Sequence, residues 1–290
     1  MFNDEILNTM TKKTIANILV PTDFSECAAN ALEAAISVAK VHNARITLLH
    51  VVSPIPEFYG LQKDRIVKEQ QQELLDSQSD RIMKLGNSLQ ENHGLSVVPI
   101  IVVGQTVATV LETAKALDVD LIVMGTHGIK GFREFLIGSN TYGVTEKSAS
   151  PVLSIPQSSI TNGFEKIMFP VRNIPNALEK YEFLKTFVAT GNASLFIYGI
   201  YKIDDEHLME AYKKVSAFVK GIENDWLSIK LTSVITEESL ADEALEQAAQ
   251  MKCDLIVITS KVTSSFNDFF LGKFAQQVIN HSIMPVLHIK

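Results

Sequence analysis

The chain repeats itself, and the repeat restricts its fold to one that can be built twice. Asp120-Leu121-Ile122-Val123 recurs as Asp254-Leu255-Ile256-Val257 and Pro151-Val152-Leu153 as Pro285-Val286-Leu287, both displaced by 134 residues (254−120, 285−151). Phe132, Phe135 and Gly138 return as Phe266, Phe269 and Gly272 at the same displacement, so the register also holds outside apolar runs, where matches are cheap. Nearer the start, Ile18-Leu19-Val20-Pro21 corresponds to Ile167-Met168-Phe169-Pro170, displaced by 149 (170−21). The second copy is therefore 15 residues shorter (149−134) between these anchors, and the polar stretch after Pro56, with Gln70-Gln71-Gln72-Glu73, is where the excess is expected. A length of 290 residues suits two domains of about 150 each.

Each half alternates short apolar runs with stretches of helical spacing. In the first half, strands are expected over Ile15–Pro21, Arg45–Val52, Ser96–Val103, Leu121–Met124 and Val152–Ile155. Helices are expected over Ala28–His42, about Asp64–Asn92, Thr106–Leu117 and Ser139–Ser148. The second half repeats the order, with strands near Ile167–Val171, Ser194–Ile200, Ile229–Ile235, Leu255–Thr259 and Val286–Ile289. Strands that are apolar throughout, with no in–out alternation, belong to a parallel sheet covered on both faces. The expected class is α/β, two tandem doubly wound domains at 1–157 and 164–290, with Ser154–Gly163 as the Ser-, Pro-, Asn- and Gly-bearing linker.

Composition excludes several functions. With 26 Lys plus Arg against 33 Asp plus Glu, the net charge of −7 argues against nucleic acid and anionic lipid as partners. Met1–Lys13 has no signal-peptide core and no later stretch approaches the ~20 apolar residues of a membrane span, so a cytoplasmic protein is expected. Cys27 and Cys253 have no second Cys or His at metal-ligand spacing; both are expected to be buried and inert, and no metal ligand is assigned.

The chemistry-bearing residues cluster at strand ends. The strand at Asp120–Met124 runs into Gly125-x2-Gly128-x9-Gly138-Ser139 and then a helix. Glycine at a strand end lets a ligand approach the backbone, and glycine before a helix start presents free N–H groups and a hydroxyl to an anion. The alternative is a glycine-punctuated loop in which Ser139 only caps its helix. After the first strand stand Pro21-Thr22-Asp23, with Ser25 and Glu26 opening the helix. In a doubly wound sheet a ligand sits outside the carboxyl ends of the strands where their order reverses, so Asp23 would face the Gly125 loop if the first and fourth strands are neighbours. A carboxylate there can accept from ribose hydroxyls; alternatively Asp23 or Ser25 caps the helix and Glu26 closes a capping box. His50, at a strand end, is expected to be a packing residue, and His127 and Lys130 are candidate phosphate contacts or solvated loop residues.

Ile18-Leu19-Val20-Pro21-Thr22-Asp23-Phe24-Ser25, Leu48-Leu49-His50-Val51, Val102-Val103-Gly104, the Gly125-to-Ser139 motif and Pro151-Val152-Leu153 together resemble the universal stress protein family, in a tandem form with one domain per half. The resemblance implies a five-stranded parallel sheet of order 3-2-1-4-5 in each domain, and an ATP site in members that keep the glycine motif. Asp23 would hold the ribose, the main chain at Val51 the adenine, and Gly125 would border the ribose. Gly128, Gly138, Ser139 and Asn140 would surround the phosphates, with Mg²⁺ arriving on the phosphates rather than on protein ligands. It also implies that the two domains pair through Val152–Ile155 and Val286–Ile289, and leaves room for a homodimer and a protein partner.

The second half departs from the motif. At the displacements above, Asp23 becomes Arg172, and Gly104, Gly125, Gly128 and Ser139 become Glu238, Thr259, Val262 and Lys273; Gly272 alone survives. A nucleotide site is expected in the first domain only, though Lys273 could serve another anion. The function implied is a nucleotide-binding stress-response regulator in which ATP acts as a switch rather than a substrate, with no catalytic residue assigned. Alternatives are a slow ATPase or phosphotransferase, against which stands the lack of a Walker lysine and of a carboxylate cluster, and a non-binding adaptor module.

Overall fold

A computed structural model of the chain describes residues 14–55, 63–126, 137–157, 159, 163–171, 183–188, 193–203, 206–220, 227–259 and 272–289. The first half runs β1 (Asn17–Pro21), α1 (Glu26–His42), β2 (Arg45–Val52), α2 (Lys63–His93), β3 (Val97–Val103), α3 (Thr106–Ala116), β4 (Leu121–Gly125), α4 (Ser139–Lys147) and β5 (Val152–Ile155). The second runs β6 (Lys166–Val171), β7 (Ala193–Tyr201), α5 (Glu206–Lys220), β8 (Leu227–Ile235), α6 (Leu240–Gln250), β9 (Leu255–Thr259), α7 (Lys273–His281) and β10 (Val286–Ile289). All ten strands join one sheet of order β3-β2-β1-β4-β5-β10-β9-β6-β7-β8, so both halves have the doubly wound order with β1 or β6 central.

The apolar runs explain the layering. In β1, Ile18, Leu19 and Val20 are all fully buried, because Ile18 and Val20 face one helical layer and Leu19 the other. The layer holding α1 and α2 shares its core across both halves, from Ile18 and Leu153 to Phe169 and Ile289. On the opposite face each half has its own cluster, but Ile137 and Tyr142 of the first half pack on that of the second.

The halves meet where β5 and β10 pair antiparallel, with Leu153 opposite its own repeat counterpart Leu287. This pseudo-twofold seam removes one open edge from each half. Elsewhere the described strand pairs are parallel.

The repeated aspartates have a common duty. Asp120, just before β4, accepts from the main-chain N–H of Ala16 (2.8 Å) and Asn17 (3.0 Å). Asp254, just before β9, accepts from Glu165 (2.9 Å) and Lys166 (3.0 Å). Each carboxylate thereby ties the start of the fourth strand of its half to the start of the first. Burial pushes the Asp254 carboxyl up, and these main-chain donors pull it the other way.

The length difference falls in the second helix: α2 has 31 residues and α5 has 15. Strand register corrects one expected correspondence. The Gly104 N–H donates to Val52 O and the Thr236 N–H to Tyr201 O, so the counterpart of Gly104 is Thr236, not Glu238. Two residues are added between β8 and α6, which restores the displacement of 134 at the helix starts (240−106).

Candidate functional site

β1 lies between β2 and β4 in the sheet, and the chain leaves β1 and β4 in opposite directions, so a crevice opens above their carboxyl ends. Four termini converge on it: the ends of β1 and β4 and the starts of α1 and α4.

Asp23 stands on the β1 side. Its Oδ1 accepts from the Ser25 N–H (3.0 Å), an Asx turn that fixes the carboxylate beside the helix start. Ser25 is the N-cap of α1, its Oγ accepting from the Ala28 N–H (3.2 Å). The position a capping box needs is therefore Ala28, and the alternative of a box closed by Glu26 does not form; Glu26 instead accepts from Gln157 Nε2 (3.1 Å).

Phe24, between Asp23 and Ser25, has φ +62°, an uncommon conformation for a bulky residue. Three contacts hold it. Its N–H donates to Thr22 Oγ1 (3.1 Å), its ring lies 4.6 Å from that of His50, and the Arg81 guanidinium of α2 sits 4.0 Å above it. His50 donates from Nδ1 to the Thr22 carbonyl (2.7 Å), making it a half-buried packing residue that also steers this turn. Phe24 enters the sequence reading only as part of the Ile18–Ser25 motif, and Arg81 does not enter it. Nothing local in α2 marks Arg81, which meets Phe24 only through tertiary packing.

Val51 lies on the β2 side. The Thr22 N–H donates to Leu49 O (2.8 Å), so Leu49 turns its main chain toward β1. By the two-residue alternation of a strand, Val51 turns its N–H and C=O the same way, beyond the point where β1 has ended.

On the β4 side, Gly125 is a glycine for reasons of packing. A Cβ there would lie 2.7 Å from the Cys27 carbonyl oxygen and 2.8 Å from Cys27 Sγ, so its bare Cα is what lets α1 settle on β4. This packing requirement stands beside the expected role in ligand approach. Cys27 and Cys253 are both buried free thiols, and burial pushes Cys253 up to about 11.

α4 begins at Gly138, which is its N-cap with no side-chain cap bond; the Gly138 N–H donates to Thr126 O (2.6 Å). Ser139 and Asn140 are the first helical residues and are exposed, so Ser139 does not cap its helix. Thr141 Oγ1 donates to Gly125 O (2.7 Å) and anchors α4 to the end of β4. Gly128, His127 and Lys130 lie outside the described residues, as do Arg172 and Val262 of the second half. There, Thr259 is buried at the end of β9, and Gly272 caps α7 ahead of Lys273.

A family model described as the universal stress protein family matches residues 14–156 and 188–290. The chain belongs to this family. The first matched segment spans β1–β5 and the second spans β7–β10, beginning after β6. Among universal stress proteins, one from Methanocaldococcus jannaschii is 31% identical over 166 residues, 53% of this chain and 99% of that protein. Another, from Bacillus subtilis, is 28% identical over 151 residues, 48% of this chain and 97% of its own length. The solved structure of a universal stress protein from Archaeoglobus fulgidus covers 94% of this chain and 98% of its own at a TM-score of 0.71; at 21% identity it shows the shared fold, across both halves. Among the described residues no helix is long and apolar enough to cross a membrane, and no group of three or more His, Cys, Asp or Glu could hold a metal ion.

Proposed function

We propose that this universal stress protein binds ATP in its first domain, 1–157, as a regulatory ligand, while the second, 164–290, has lost that site. The observation that carries the proposal is the convergence of the Asp23 turn with the open N-terminus of α4 across the β1–β4 crevice. An acceptor suited to ribose hydroxyls stands on one side, and on the other the first-turn N–H groups of a helix whose N-cap makes no side-chain bond, a setting suited to phosphate.

The residues present fit the ligand. Asp23 would take the ribose, the main chain of Val51 the adenine edge, and Gly138, Ser139 and Asn140 the phosphates, with Gly125 beneath and Gly128 completing the cradle. Mg²⁺ would come with the phosphates. ATP would supply charge to neutralise the helix end; the protein's part is to position it. The bulk charge of −7 does not attract a polyanion, so local N–H donors must do so.

The route from site to signal runs through α4. Its first turn meets the phosphates, Thr141 ties it to Gly125, and Tyr142 with Ile137 packs on the core of the second half. Occupancy at the helix start would thus bias the contact between the halves. Burial, followed by the nearby Glu146 carboxylate, pushes the Tyr142 phenol up.

Isothermal titration of the full chain with ATP should show one site. Asp23→Ala and Gly138→Val should each weaken binding by roughly 10- to 100-fold, the span of one or two charge-assisted hydrogen bonds. Parent-like binding in both variants would refute the assignment.

A further inference from the structure

The ten-stranded sheet ends on two edges, β3 and β8, and among the described residues only β3 carries a proline guard. In β3, Ser96 O and the Gly104 N–H are bonded to β2, so even-numbered residues face β2 and odd-numbered residues turn their main chain outward. Pro99 falls on an outward position, where it removes the donor that an added strand would need.

In β8 the Thr236 N–H is bonded to β7, so the outward main-chain groups belong to Leu227, Ile229, Leu231, Ser233 and Ile235. None is proline. The counterpart of Pro99 is Leu231, since Leu48 pairs with Pro99 and Ile197, displaced by 149 from Leu48, pairs with Leu231. Lysine is a common guard of sheet edges, but Lys230 folds back over the Phe196 ring of β7, with Nζ 5.2 Å from its centroid. Ile235, at the end of the strand, is 56% exposed.

We infer that β8 is an association surface for a second copy of this chain, pairing antiparallel with its own β8 about a twofold axis at Leu231. This register uses all nine residues of the strand and gives roughly ten main-chain hydrogen bonds. Its side-chain pairs are compatible: Leu231 meets Leu231, Ile229 meets Ser233, and Lys230 meets Thr232 rather than another lysine. The twofold makes the contact self-complementary and closed, so it stops at a dimer. The chain already uses the same device internally, where β5 meets β10 with Leu153 opposite Leu287.

Ser233→Pro is the decisive variant. Ser233 is exposed and faces outward, so proline removes a donor and blocks approach while no buried side chain is lost, and β3 shows that this fold accepts an outward edge proline. Sedimentation equilibrium of the full chain should give twice 32.1 kDa for the parent and for Ser233→Ala. Ser233→Pro should associate roughly 100-fold more weakly, with unchanged circular dichroism. Hydrogen exchange supplies a second measure: the Ile229, Leu231 and Ser233 amides should gain protection with rising concentration in the parent. A monomeric parent, a Ser233→Pro dimer of parental strength, or concentration-independent exchange at these amides would overturn the inference.

Discussion

Gly125→Ala tests whether this position serves packing. The new Cβ would lie 2.7 Å from the Cys27 carbonyl oxygen, 2.8 Å from its carbonyl carbon and 2.8 Å from its Sγ. Comfortable heavy-atom contact begins near ~3.5 Å, so the first turn of α1 must retreat by about 0.7 Å. Two of the three obstructing atoms are backbone, and that backbone is held by the Ser25 cap and by burial of Ala28 and Ala31 against the sheet. Overpacking of this kind costs about 1–3 kcal/mol. Cys27→Ala in the same background relieves only the sulfur contact, so the double variant should recover less than half of the loss. Urea unfolding without nucleotide measures both, read from midpoints at an unchanged slope. A Gly125→Ala protein within about 0.3 kcal/mol of the parent would refute the packing explanation, and so would full rescue by Cys27→Ala.

The repeated aspartates should be structural: Asp120→Ala or Asp254→Ala orphans two strand-start N–H groups and should cost about 2–4 kcal/mol by urea unfolding, whereas Asp254→Asn, which keeps an acceptor oxygen, should cost less. Cys253 should alkylate slowly in the native state at neutral pH, with the rate climbing toward pH 11. Because its folded-state value lies above the ordinary 9.0, the unfolded chain ionises first and stability should fall as pH rises between 9.0 and about 11; a Cys253→Ala protein should lose that slope.

Two residues at the rim of the candidate crevice were placed by local spacing alone. Asp23 and Gly138 stand at strand-end and helix-start positions that local spacing identifies, and both flank the crevice. The reasons for particular residues were less accessible. Gly125 could be attributed to ligand approach because nothing nearby in sequence announces Cys27, 98 residues earlier (125−27), as its neighbour. The Glu26 capping box failed because cap geometry depends on where the helix starts, and one residue decides it. Gly104 was matched to Glu238 because a constant displacement hides a two-residue addition that only strand register exposes.

By itself the amino-acid order determined that there are two copies of one α/β unit, which apolar runs form strands, and which half keeps the glycine motif, because hydrophobic periodicity and glycine placement act over a few residues. Tertiary structure decided what those units do to one another. It set β5 against β10 and so removed two edges, placed Arg81 over Phe24 beside Asp23, and put β8 and the Pro99-bearing β3 at the two ends of the strand order. Such relations depend on which main-chain groups point toward a neighbour and which point away. A single-residue change of register reverses that direction, and only the assembled sheet determines it.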